Sequence, residues 1–288
     1  MRVLKIAAFL LVFASATVLL AAGIRLVTGV LLSLSGDPVP ASSAALSEHD
    51  LGQLNAMTPQ DQVTFLLEKS VNHYSGAREE IAKRLESWKG QIHSTPRLEQ
   101  LTNTAYFSSD LRVRAATLEI WLIRDNIPKT SAQVDELIRD AASTEDRRYF
   151  QLSTLGILGN RGVEPRRVFD TLAFYARDPS APTRAAAING LGLLGSEDTV
   201  PLLLEILRRD PSTDLRDRAA CNLADSGLLP HELRQEAVPE LIGFLEDPGL
   251  DSFTRKEVLQ ALREITGKNL PDDAAAWRSW YWTQPHRK

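Results

Sequence analysis

The chain has 288 residues, against about 150 for a typical domain, so it suits two ordinary domains or one long repeat array. Hydrophobic residues at 43% and charged residues at 24% exclude a wholly disordered chain and a polytopic membrane protein. A net charge of -4 argues against a general nucleic-acid binder, and the single cysteine, Cys221, excludes an intramolecular disulfide framework or a cysteine-rich metal site.

The amino terminus opens with Arg2 and Lys5, followed by nineteen uncharged residues from Ile6 to Ile24. As a helix this run is about 28 Å long at 1.5 Å per residue, close to the hydrocarbon thickness of a bilayer. It reads as an uncleaved membrane-spanning anchor within residues 1–34. A cleaved signal peptide is the alternative, because Ala14-Ser15-Ala16 offers a small-residue cleavage pattern, but the apolar run continues well past that site. Arg2 and Lys5 outnumber Arg25 across the run, which places the amino terminus in the cytoplasm and the body outside it. Residues 35–57 begin rich in Ser, Pro, Gly and Ala, with Pro38 and Pro40, and are expected to be a flexible tether.

From Thr58 onward the sequence predicts one helix after another. Thr58-Pro59 and Thr95-Pro96 each place a capping residue before a first-turn proline. Breaks fall at clusters such as Ser75-Gly76, Asn126 to Lys129 and Asp210 to Thr213, and the segments between breaks run roughly 10 to 16 residues with apolar residues at helical spacing, as in Val200, Leu203, Leu204 and Leu207. Period-2 alternation flanked by hairpin turns is absent from the sequence. The fold class is therefore all-α.

An internal period decides the architecture. An arginine followed seven residues later by an apolar residue recurs as Arg78 with Leu85, Arg114 with Trp121, Arg148 with Leu155, Arg184 with Leu191, Arg216 with Leu223 and Arg255 with Leu262. The arginines are 36, 34, 36, 32 and 39 residues apart, and each interval holds two helices. Leu155-Gly156-Ile157-Leu158-Gly159 is echoed 36 residues later by Leu191-Gly192-Leu193-Leu194-Gly195, and Asp178-Pro179 and Asp210-Pro211 each precede their arginine by six residues. A helix pair of this size cannot bury its apolar face alone and finds a core by stacking on its neighbours. About six such pairs over residues 58–270 predict an α-solenoid. Gly159, Gly195 and Gly227 read as glycines that end the second helices.

The Asp-Pro turn, the Arg six residues after the Asp, the Ala-rich helix and Leu-Gly-x-Leu-Gly resemble HEAT repeats and the HEAT-like repeats of phycobilisome lyases. The likeness is strongest over residues 164–267. It implies a ladder of Asp and Arg between adjacent repeats, carried here to Asp178 with Arg184 and Asp210 with Arg216. Residues 271–288 read as a final helix in which Trp277, Trp280 and Tyr281 share a face and cap the open end of the array. Thr266-Gly267 followed by Trp277 and Trp280 resembles the ending of HEAT-like arrays in some bacterial proteins.

Gly190-Leu191-Gly192-Leu193-Leu194-Gly195 satisfies the dinucleotide-binding fingerprint, but the segment before it reads as a helix where that fingerprint needs a strand, so the glycines are read as packing and helix-ending positions. His49, His73, His93, His231 and His286 are scattered without metal-ligand spacing, and Cys221 has no evident base. The sequence thus predicts no catalytic residue, cofactor, metal, nucleic-acid or small-molecule site. The expected function is a non-catalytic scaffold that binds another protein at the membrane. A lyase-like or enzyme-associated subunit, and a structural spacer between membrane and envelope, are the alternatives; secretion to the periplasm is the alternative location.

Overall fold

The structure, a computed structural model, describes residues 44–284. The expected span at residues 6–24, with Arg2 and Lys5, lies outside the described residues. No helix among the described residues is long and apolar enough to cross a membrane. The described residues form an all-α helical-repeat architecture, with one isolated parallel bridge between Ala45 and Ser75. The chain divides into two compact units, the first ending at Ile127 and the second beginning at Pro128.

The first unit holds α1 (Glu48–Ala56), α2 (Pro59–Val71), α3 (Ala77–Trp88), α4 (Pro96–Tyr106) and α5 (Leu111–Arg124). Within the tether expected over residues 35–57, Glu48–Ala56 is instead helical. Ser47 and Asp50 close a capping box that starts α1, and Leu54 on that helix is fully buried. Helices α2 and α4 start where the Thr-Pro pairs predict: Thr58 Oγ1 accepts from Asp61 N at 3.2 Å and Thr95 Oγ1 from Leu98 N at 3.2 Å. The core of this unit combines Val63, Leu66 and Leu67 with Ile81, Leu85, Trp88, Leu98, Leu101 and Ile120. Burying each of these side chains contributes about 1.5–3 kcal/mol. The Trp88 indole donates to Gln62 Oε1 at 2.9 Å, which satisfies the polar end of the bulkiest core residue.

The second unit runs through α6 (Ser131–Ser143), α7 (Arg148–Asn160), α8 (Pro165–Tyr175), α9 (Ala181–Leu194), α10 (Thr199–Arg209), α11 (Thr213–Cys221), α12 (His231–Glu236), α13 (Val238–Leu245), α14 (Ser252–Thr266) and α15 (Ala274–Trp282). The pairs are α6 with α7, α8 with α9, α10 with α11 and α13 with α14, and the second helices α7, α9, α11 and α14 contact one another in that order. Most residues of α7 and α9 are buried, because each packs on both its own partner and the neighbouring second helix.

Between α7 and α9 the two backbones touch. A Cβ on Gly190 would lie 2.6 Å from Leu152 O and 2.6 Å from Leu172 Cδ2, and a Cβ on Gly156 would strike Gly190 O. The dinucleotide-like glycines therefore sit inside a helix and at its end, where they permit close packing. Gly195 ends α9 in a left-handed conformation, φ +57°, with its N–H bonded to Leu191 O. The other two expected helix-end glycines behave differently. Gly159 lies within α7 against Leu194 and Val168, and α7 ends one residue later at Asn160, with the left-handed turn at Gly162. Gly227 is extended, φ -90° and ψ -163°, and follows a π-helical turn, Asn222–Ser226, that extends α11. That turn widens the helix where Asn222 bonds back to Arg218 O, leaving Ala224 O for Arg234 and bringing Leu228 N to Gly192 O at 2.8 Å.

Helix α15 packs chiefly on α13, rather than on the α14 residues Val258, Leu259, Leu262 and Ile265 that a cap at the end of the array was expected to cover. Trp277 is fully buried, Trp280 and Tyr281 are half-buried, and Arg278 pairs with Glu246 just after α13. Trp280 meets Trp277 edge to face, with centroids 6.0 Å apart.

Candidate interaction surface

The six register arginines all stand in the first turn of a second helix, and five of them donate backward to carbonyls at the end of the preceding helix or in the turn before their own. Arg114 bonds Ser108 O, Arg148 bonds Ala141 O, Arg184 bonds Asp178 O and Pro179 O, Arg216 bonds Asp210 O, and Arg255 bonds Leu245 O and Asp247 O, all between 2.6 and 3.1 Å. These carbonyls end first helices or form tight turns, where intrahelical donors are missing. Several of the same guanidinium groups also reach forward to the next repeat. Arg78 reaches Asp110 at 3.5 Å, Arg148 reaches Thr183 Oγ1 at 3.0 Å, Arg184 grips Asp210 at 2.8 and 3.1 Å, and Arg216 approaches Asp251 at 3.5 Å.

The pairing thus differs from the one expected. The carboxylate of Asp178 caps its own turn by accepting from Ser180 N, and Arg184 takes only the Asp178 carbonyl, spending its two-pronged ion pair on Asp210 of the following repeat. Arg216 likewise takes the Asp210 carbonyl and turns its charge towards Asp251. The bond from Asp210 holds the Arg184 guanidinium above its ordinary pKa. At Asp110, burial works to raise the pKa, and the hydrogen bonds from Arg112 outweigh it and leave the group below the ordinary range.

The side of α7, α9 and α11 not used in packing carries a polar track. Tyr149 on α7 is 57% exposed, and its hydroxyl accepts from Asn189 Nδ2 on α9 at 3.0 Å. Arg218 on α11 donates to Asn189 Oδ1 at 3.1 Å. Three successive second helices are thereby linked through one asparagine. Beyond Arg218 the track becomes acidic, with Asp217 on α11, Asp225 in the π turn and Glu257 and Glu264 on α14, and burial pushes the carboxyls of Glu257 and Glu264 above their ordinary range, Asp217 adding to the shift of Glu257. Cys221 lies against Asp217, Sγ to Oδ1 3.6 Å, and burial with that carboxylate pushes its thiol up to about 12. A thiol so held stays protonated at neutral pH, the reverse of an activated nucleophile. Among the described residues, no group of three or more His, Cys, Asp and Glu side chains is placed to hold a metal.

A family model described as HEAT repeats matches residues 134–224. That stretch begins within α6 and ends in the π turn, so it covers Arg148, Arg184 and Arg216 and the Tyr149–Asn189–Arg218 track. Residues 134–224 are similar to HEAT repeats. No curated protein and no solved structure gives a match to the chain. The matched segment contains Tyr149, Asn189 and Arg218, none of which the repeat pattern singles out. They stand one, five and two residues after their register arginines, so no common offset marks them.

Proposed function

We propose that the chain is a non-catalytic scaffold that docks another protein on the exposed side of α7, α9 and α11. HEAT repeats commonly mediate protein–protein contacts. The observation that carries the reading is the Tyr149–Asn189–Arg218 track, which crosses three stacked helices with an exposed aromatic at one end and a guanidinium at the other. Tyr and Arg are enriched where interfaces concentrate their energy. The proposal includes attachment to a membrane through residues 6–24 with the body outside the cytoplasm, supported by the length of that uncharged run and by Arg2 and Lys5 before it. A lyase-like activity would need a reactive side chain on this face, and Cys221, the thiol there, is held protonated.

A photo-crosslinking residue placed at Tyr149 tests the docking face against one placed at Phe174, which is 71% exposed on the first helix α8. The same protein should be captured from position 149 and not from 174, and Arg218→Ala should weaken its capture. Equal capture from both positions, or none from 149, refutes the assignment.

A further inference from the structure

The geometry points to a carboxylate of the partner, from an Asp or Glu side chain, as the group that seats over Asn189 between Tyr149 and Arg218; the inference rests on the docking face proposed above. The direction of the hydrogen bonds carries it. A guanidinium only donates, so Arg218 on α11 meets the Asn189 amide at Oδ1, 3.1 Å away. That contact settles which end of the amide is which and turns Nδ2 towards Tyr149, whose hydroxyl accepts at 3.0 Å. Both polar atoms of the Asn189 side chain are therefore engaged inside the fold. Tyr149, as the acceptor, keeps its own O–H proton for a group outside the chain, and the residue is 57% exposed. The two ends of the track thus both present donors.

Arg218 brings a charge that the fold does not neutralise. Asp214, one turn earlier on α11, and Asp217 beside it do not pair with it; Asp217 instead meets Cys221 Sγ at 3.6 Å, and Arg218 Nε has no hydrogen-bond partner. Arg184 and Arg216, by contrast, engage Asp210 and Asp251. A third donor lies on the same face. Ser153 stands one helical turn after Tyr149 and, like Asn189, five residues after its register arginine; it is 9% exposed and its Oγ also lacks a partner. A carboxylate has the planar head of an amide but accepts at both oxygens. Placed over Asn189, it takes the hydroxyl of Tyr149 at one oxygen and the guanidinium of Arg218 at the other, and bonds to an ionised group are stronger than neutral ones. Towards α14 the face turns acidic, with Asp217 and the exposed Glu264, which accepts from Gln260 at 2.9 Å, so a partner carboxylate is repelled from that end.

The test selects a random peptide library on the full-length chain in detergent. Peptides that no longer bind Tyr149→Ala are seated on this face. Each should carry an Asp or Glu whose change to Asn or Gln weakens binding at least about tenfold, the loss of one hydrogen bond to a charged group. Tyr149→Phe keeps the ring and removes only the donor, so it should weaken the acidic peptides and leave their amide counterparts nearly unchanged. Arg218→Gln should do the same, which makes the protein and peptide changes non-additive. Affinity of the acidic peptides should also fall as salt rises. Seated peptides that are indifferent to the acid-to-amide change, or losses that simply add, overturn the carboxylate assignment while the docking face stands. Recovery of no peptide that depends on Tyr149 overturns the docking face, and this inference with it. If Arg218→Gln does not fold, Tyr149→Phe, altered at one exposed hydroxyl, gives the same readout.

Discussion

Replacing Arg184 with alanine removes four hydrogen bonds at once, two to the Asp210 carboxylate and two to the carbonyls of Asp178 and Pro179. The side chains of Arg184 and Asp210 are 11% and 5% exposed, so water cannot readily take the place of the lost guanidinium. Breaking a buried pair from one side costs about 3–5 kcal/mol, because the remaining charge is left uncompensated. Asp210 keeps its bond to Ser212 N at 2.8 Å, which favours the lower half of that range. Even about 3 kcal/mol is a large share of the 5–15 kcal/mol that holds a typical domain. Arg184→Lys should recover little, since an ammonium cannot reproduce the two-pronged grip while reaching both carbonyls. The double variant Arg184→Ala with Asp210→Ala should cost clearly less than the sum of the two single changes. Because repeat arrays depart from all-or-none unfolding, urea melts should be read together with hydrogen exchange, which is expected to accelerate at the start of α9 and in the Asp210 turn. A loss below about 1 kcal/mol, or additive single changes, would refute the bridging role.

Three further outcomes follow from the packing. Gly190→Ala should destabilise by more than the usual 1–3 kcal/mol of overpacking, because the new methyl meets Leu152 O, which lies on a backbone that cannot rotate away; a thermal midpoint within a degree of wild type would contradict this. Trp277→Ala should cost about 3–5 kcal/mol as a core cavity and expose α13, so the melting temperature should fall and exchange at Val238–Leu245 should rise, while unchanged melting would show that α15 is not a cap. Cys221 should alkylate far more slowly than a free cysteine at pH 8.5, with a rate still climbing above pH 10, as its midpoint of about 12 requires; a rate plateau near pH 9 would refute the shift.

Much of the fold is legible in the sequence because its signals are local. Thr58 and Thr95 bond within three residues of themselves, and the register arginines find the second helix of every pair. The helix Glu48–Ala56 escaped notice because the Ser, Pro and Gly of the preceding residues set the expectation, although Ser47 and Asp50 form a capping box. What the sequence withholds is the register between repeats. An Asp six residues before an Arg reads as a pair, yet that spacing brings the guanidinium over the turn's carbonyl, while the Asp178 carboxylate caps its own turn and the Asp210 carboxylate serves the repeat before. Gly159 and Gly195 occupy matching sequence positions but meet different neighbours, so one packs inside α7 and the other ends α9. The Tyr149–Asn189–Arg218 track depends on side chains meeting across helices, and nothing in spacing along the chain announces it.

The forward partners of the arginines in the second unit also differ in chemistry. Arg148 meets the neutral hydroxyl of Thr183, Arg184 meets the buried carboxylate of Asp210, and Arg216 meets Asp251, whose side chain is 53% exposed. Salt screens an exposed pair strongly, a buried pair weakly and a neutral contact hardly at all. The first of these joints is also the one where Gly156 and Gly190 let two backbones touch, so it relies on shape. Ionic strength should therefore unfasten the second unit from its carboxyl-terminal end inward, and limited proteolysis in rising salt should cut beyond Asp210 before it cuts within residues 148–194.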